Sequence, residues 1–147
     1  MKSIFDKDIN AELIERIRAL STENVAEWGE MNCFQMIRHC TKSEEMFLGK
    51  RSYPRVLIGR IFGKMILKGL LKNNEPIKKN QPTHLALKIK DTGNFEVEKL
   101  KWMELLEAYK SYTNGTFVHP FFGKMTDEQI GRYVFKHTDH HLRQFNS

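Results

Sequence analysis

Apolar residues recur at intervals of three and four through most of this chain, the spacing that turns one side of an α-helix toward a core. Leu13, Ile14, Ile17 and Leu20, with polar residues between them, predict a short amphipathic helix over 9–20. Residues 21–31 keep no period, and Trp28–Gly29 within them marks a turn whose indole covers one end of the core. Asn32 is a good N-cap for a second helix running to Leu48, where Gly49 ends it. Its apolar stripe is Cys33, Met36, Ile37, Cys40 and Phe47.

The third helical stretch, 53–71, is different in kind. At about 100° per residue, Val56, Leu57, Ile58, Ile61, Phe62, Met65, Ile66, Leu67 and Leu70 surround most of its axis, so it is expected to be buried on most sides. Gly59 and Gly63 leave room there for another backbone to approach. Residues 72–84 are polar and hold Pro76 and Pro82, a long connection of the kind that returns a bundle from one end to the other between parallel helices. Helical spacing resumes from Asn94 to Tyr112 through Val97, Leu100, Trp102, Leu105, Leu106 and Tyr109, and Asn114–Gly115 marks a turn. Residues 117–123, FVHPFFG, are too short and too punctuated for a regular element and read as a loop whose rings plug the bundle. Thr126 with Gln129 forms a capping box that opens a last helix reaching Phe145. The pattern is that of one all-α domain over residues 1–147.

With 147 residues, 40% of them apolar and 29% charged, the chain can build its own core, and neither a disordered nor a fibrous state fits. No run of about 18 apolar residues occurs, and the opening MKSIFDKDIN lacks an apolar segment of signal-peptide length, so the expected compartment is the cytoplasm. Cys33 and Cys40 lie about 10 Å apart along one helix, beyond disulfide reach, and are expected to be reduced and packed.

The net charge of +6 raises nucleic acid or an anionic membrane as partners. Its densest stretch, Lys50 to Lys79, argues against both, because Arg60, Lys64, Lys68 and Lys72 drift by about 40° per step around the helix. Aromatic side chains interleaved to stack bases are also missing. These residues read as a solvated rim around a buried helix.

Three of the six histidines fall near the end, in KHTDHHLRQF. His137 and His141, about 40° apart on the helix, share the side of Ile130, Tyr133 and Val134 that must face inward, while His140 points to the Lys136 flank. Two imidazoles one turn apart can hold one divalent ion, and burying such rings without partners costs about 1–3 kcal/mol each. A third donor must come from elsewhere. His39, mid-helix at the edge of its apolar stripe, is the best placed; His84, His119 and Cys40 are the rivals.

MNCFQMIRHC on the early helix, together with HPFFGKMTDEQIGRYVFKHTDHHLRQF at the end, resembles the DinB-like superfamily, most closely a branch carrying the HPFFG and HTDHHLRQF motifs. The resemblance implies a four-helix bundle with an up-down-down-up course and an additional helix, 53–71, in the long connection between core helices 2 and 3. It also implies a metal triad of one histidine on the second helix and an H-x-x-x-H pair on the last, which fall on His39, His137 and His141. Many relatives read HHRGQ where this chain reads HHLRQ, so Gln144 keeps its place while Arg143 is displaced by one.

Three protein ligands leave a coordination position for water or substrate. By resemblance, the expected activity is that of a divalent-metal-dependent transferase or hydrolase, activating a thiol or water against a small electrophile. Zinc or nickel and a low-molecular-weight thiol are the expected cofactors. Gln35, one turn before His39, and Tyr133, one turn before His137, are candidates to orient ligands; His119 is a candidate for the pocket mouth, and His140 is the remaining candidate, on the more solvated side with Asp139. The alternatives are a metal-holding protein without turnover, a homodimer built on the 53–71 helix, and a basic module for nucleic acid or anionic membrane.

Overall fold

Five α-helices carry the chain in a computed structural model that describes residues 1–113, 115 and 117–147: α1 (Lys7–Ala19), α2 (Cys33–Phe47), α3 (Leu57–Leu70), α4 (Phe95–Glu107) and α5 (Asp127–Gln144). Local chemistry sets their starts. Asn32 and Gln35 bond reciprocally to each other's backbone N–H at the head of α2, and Thr126 and Gln129 do the same for α5. Asn94 accepts from the Val97 N–H to open α4.

Four of the helices form the bundle, and residue pairs fix its course. Asn10 of α1 donates to the Leu106 carbonyl of α4, and Lys99 of α4 reaches the Leu20 carbonyl beyond the other end of α1, so these two run antiparallel. Arg38 pairs with Glu98 and Glu44 with Tyr109, which makes α2 and α4 parallel. His39 meets His141 and Phe47 meets Tyr133, so α5 opposes α2. Arg16 reaches Asp139 while Ile4 bonds the Gly131 carbonyl, which sets α1 and α5 side by side in the same direction. The course is up-down-down-up, with α3 in the connection between core helices α2 and α4.

Leu13, Ile17, Met36, Ile37, Phe47, Trp102, Leu106 and Phe145 fill the centre and are fully buried. Each such side chain contributes about 1.5–3 kcal/mol through removal from water. Trp28 is half-buried at one end, as its place in an unperiodic stretch suggested.

The third helix departs from expectation. It begins at Leu57, and only Gly59, Gly63 and Leu67 of its residues are buried. Leu57, Ile58, Ile61, Met65 and others stand in solvent. The physical reason is the contact it makes: α3 lies outside the four-helix ring, against the 117–123 segment, through a strip without side chains. A methyl group on Gly59 would stand 2.5 Å from the Phe121 carbonyl oxygen, and one on Gly63 would collide with it. An apolar circumference therefore does not mean burial here. The 117–123 segment itself is a tight hairpin, β1 (Val118–His119) pairing antiparallel with β2 (Gly123–Lys124), with Phe122 buried as a plug. Asn114 of the expected Asn114–Gly115 turn lies outside the described residues.

Candidate metal centre

Because α2 and α5 oppose each other, the middle of one faces the last turns of the other. Ring centroids of His39 lie 5.2 Å from His137 and 4.8 Å from His141, and those of His137 and His141 are 4.7 Å apart. The Nε2 atoms of His39 and His137 stand 3.1 Å apart. One ring nitrogen from each of the three lies within 4.8 Å of the others. His39 and His141 are buried and His137 is partly exposed.

Hydrogen bonds decide which nitrogens are bare. His39 Nδ1 sits 3.0 Å from the Leu87 carbonyl oxygen, an acceptor only, so Nδ1 carries the proton and Nε2 keeps its lone pair. Gln144 donates its amide N–H to the Trp28 carbonyl at 2.7 Å, which turns its oxygen toward His141 Nδ1 at 2.8 Å. His141 therefore donates from Nδ1, and its Nε2 is bare as well. His137 Nδ1 is buried with no partner among the described residues. Outer partners of this type fix tautomer and ring direction in metal sites.

The electrostatics agree. All three histidines are held below the ordinary imidazole range, first by burial, with neighbouring imidazoles adding repulsion: His140 for His39; His141, His39 and others for His137; His39 and His140 for His141. The bonds to Leu87 and Gln144 oppose that shift without overcoming it. Neutral imidazoles are the form that ligates metal. Ligand nitrogens at about 2.0–2.1 Å around a tetrahedral ion would be roughly 3.3 Å apart, so the 3.1 Å pair already fits and the widest pair must close by at most about 1.5 Å. The three residues can hold a metal ion.

His84, His119 and Cys40 stand apart from this cluster. His84 accepts from the Ala86 N–H, and the Cys40 thiol, pushed up by burial, points to Met36 Sδ. His119 anchors the hairpin: its Nδ1 accepts from the N–H groups of Phe121 and Phe122, both at 3.1 Å, and burial with His84 and Arg55 nearby drives its pKa down to about 3. It does not open onto the pocket mouth. Tyr133 stacks on His137, centroids 5.8 Å apart and planes 12° apart, in place of the expected hydrogen bond. The Gln35 oxygen is taken by the capping box of α2, while the His39 ring nitrogens face the Leu87 carbonyl and His137.

His140 is a correction of another kind. It is buried, not solvated, because the 72–84 connection folds over that flank and places the Ile77 carbonyl 3.3 Å from His140 Nδ1. Trp28 covers the ring from the other side at 5.4 Å. Asp139 is half-buried and bound to Arg16 at 2.8 Å, while Arg143 is exposed.

Beside His141 opens a cavity of about 560 Å³, bounded by Trp28, Gln35, Leu87, Lys88, His140 and Gln144 among others. Of the three clustered histidines it touches His141. One contributor to the cluster and one buried acid outside it escaped sequence reasoning. Leu87 acts through its backbone, in a 3₁₀ turn (Leu85–Leu87) that no periodicity announces. Glu44 is fully buried with its carboxylate against the Tyr109 hydroxyl, and desolvation raises its pKa to about 8. Its position four residues after Cys40, on the apolar stripe, was the available signal.

No helix of the described residues is long and apolar enough to cross a membrane. Comparison with curated proteins and with solved structures returns no match. A protein family does match, over residues 5–147, and the chain belongs to it: the family described as Protein of unknown function (DUF1569).

Proposed function

We propose that this chain is a divalent-metal-dependent enzyme of the DinB-like type, with His39, His137 and His141 as ligands, acting on a small electrophilic substrate with a thiol or water as nucleophile. The observation that carries this reading is the pair of bare Nε2 atoms on His39 and His141, each fixed by a hydrogen bond at the opposite ring nitrogen, converging with His137. An ion held by three imidazoles keeps an open position, lowers the pKa of a bound thiol or water and polarises a carbonyl. Zinc or nickel suits an all-imidazole set, and resemblance to the superfamily favours a low-molecular-weight thiol as co-substrate.

The chain's own residues supply the rest. Gln144 and the Leu87 carbonyl hold two rings in their ligating tautomer. Tyr133 stacks on His137, Trp28 lines the cavity beside His141, and that cavity is the route by which substrate would approach. The test is a screen of the zinc- or nickel-loaded protein with several thiols and with water against activated electrophiles, using His137→Ala as the control. Turnover that the substitution abolishes supports the proposal. Metal bound in full with no turnover for any nucleophile would leave a metal-holding protein.

A further inference from the structure

The outer face of α3 presents Leu57, Ile58, Ile61, Phe62, Met65 and Ile66, each between 40% and 75% exposed. Together they display roughly 600 Å² of apolar surface, at the upper limit of what soluble monomers show. Such a face needs an occupant.

Charge says which. From Leu48 to Asn74 the chain has no acidic residue and seven Lys or Arg. Arg51 is paired with Glu45, and Lys64 donates to the Lys124 carbonyl. Arg60 and Lys68, along the flank of the apolar face, have no ion pair among the described residues, and Lys72 continues the series. A second copy docked two-fold on this face would bring cationic flanks together with no acidic residue of the 48–74 stretch to offset them. An anionic bilayer surface accommodates both features, taking the apolar side chains into its interface while the lysines and arginines meet headgroup phosphates. The expectation that these cations merely rim a buried helix lost its basis when the helix proved exposed.

We propose that α3 is a membrane-surface anchor: the protein docks on anionic lipid bilayers with the 57–66 apolar face inserted at headgroup depth and Arg60, Lys68 and Lys72 on the phosphates. The helix lies on the surface and does not span it. The docking is independent of the histidine cluster, which faces the bundle interior.

The experiment is co-sedimentation of the full chain with vesicles of phosphatidylcholine alone and of equimolar phosphatidylglycerol and phosphatidylcholine, with sedimentation velocity run in parallel. Binding to the anionic vesicles only, weakened by salt, is expected. Ile61→Ser with Met65→Ser, and separately Arg60→Glu with Lys68→Glu, each lower partitioning by about tenfold or more. All four positions are exposed, so circular dichroism and melting temperature stay those of the parent protein. Failure to bind either vesicle, equal binding to both, or a dimer that the Ile61→Ser, Met65→Ser protein loses would overturn the proposal.

Discussion

His39 and His137, 98 positions apart in the chain, bring their Nε2 atoms to 3.1 Å from each other. Two protonated nitrogens could not sit so close, and the Leu87 carbonyl assigns the His39 proton to the far side of its ring. What remains is a nitrogen lone pair aimed at its neighbour, with His141 aimed at the same region. A divalent ion satisfies all three at once, and without one His137 can donate to His39 alone.

Metal should therefore stabilise the fold. Zinc at about a hundredfold excess over its dissociation constant adds about 2.7 kcal/mol, or roughly 5–10 °C in melting temperature for a chain this size. Scanning calorimetry with and without a chelator checks this. A melting temperature indifferent to zinc and nickel would remove the linkage.

Gln144 tests the tautomer assignment. Gln144→Ala frees His141 Nδ1 and leaves the Trp28 carbonyl without its donor, so metal affinity should fall about 10–100-fold, with a smaller loss of stability. Gln144→Glu keeps the acceptor for His141 and should retain most of the affinity. Competition against a chromogenic chelator separates the two variants, and equal affinities for Ala and Glu would deny Gln144 a role in setting the tautomer.

Glu44 makes stability depend on pH in an unusual direction. Its carboxyl titrates at about 8 in the fold against 4.5 unfolded, so the folded state holds a proton that the unfolded chain releases. Its effect is absent below pH 4.5, and stability is lost as pH rises from 4.5 toward 8, by at most about 1.4 kcal/mol per unit. The buried histidines act oppositely, lowering stability as pH falls below their ordinary range. Glu44→Gln keeps an acceptor for Tyr109 and removes only the first effect. Urea unfolding from pH 5 to 8 should show the parent losing ground to the variant, and parallel curves would mean that Glu44 is ionised in the fold.

The glycines of α3 separate contact from propensity. Gly63→Ala drives a methyl into the Phe121 carbonyl and should cost about 1–3 kcal/mol. Gly69, on the same helix with nothing near its Cβ position, should gain about 1 kcal/mol as Ala. Denaturant unfolding of both variants gives the comparison; a neutral Gly63→Ala would place α3 elsewhere.

The bundle was legible because its four core helices each carry one apolar stripe and, at α2 and α5, a capping box written in the sequence. The His137 and His141 pair was legible for the same reason, since helical geometry alone puts positions four apart on one face. His39 was legible as the best-placed third donor from its position at the edge of the α2 stripe, and the resemblance pointed to the same residue; the antiparallel pairing of α2 with α5 that brings it to the pair is not written in the spacing. The Leu87 carbonyl and the burial of His140 were hidden because both depend on how the 72–84 connection and the turn after it fold back, where backbone groups act and side-chain patterns say nothing. The third helix misled because hydropathy reports what a surface prefers and cannot say whether the fold covers it. Glycine at positions 59 and 63 spoke only of close approach on one side.

The metal count and its ligands are the decisive quantity. X-ray absorption on the zinc-loaded full chain, with stoichiometry from mass spectrometry of the bound metal, should give one ion per chain with three imidazole nitrogens at about 2.0–2.1 Å. His39→Ala, His137→Ala and His141→Ala should each lose the ion while keeping the helical spectrum. An ion retained unchanged in all three variants, or none bound by the parent protein, would contradict convergence of these rings on a metal.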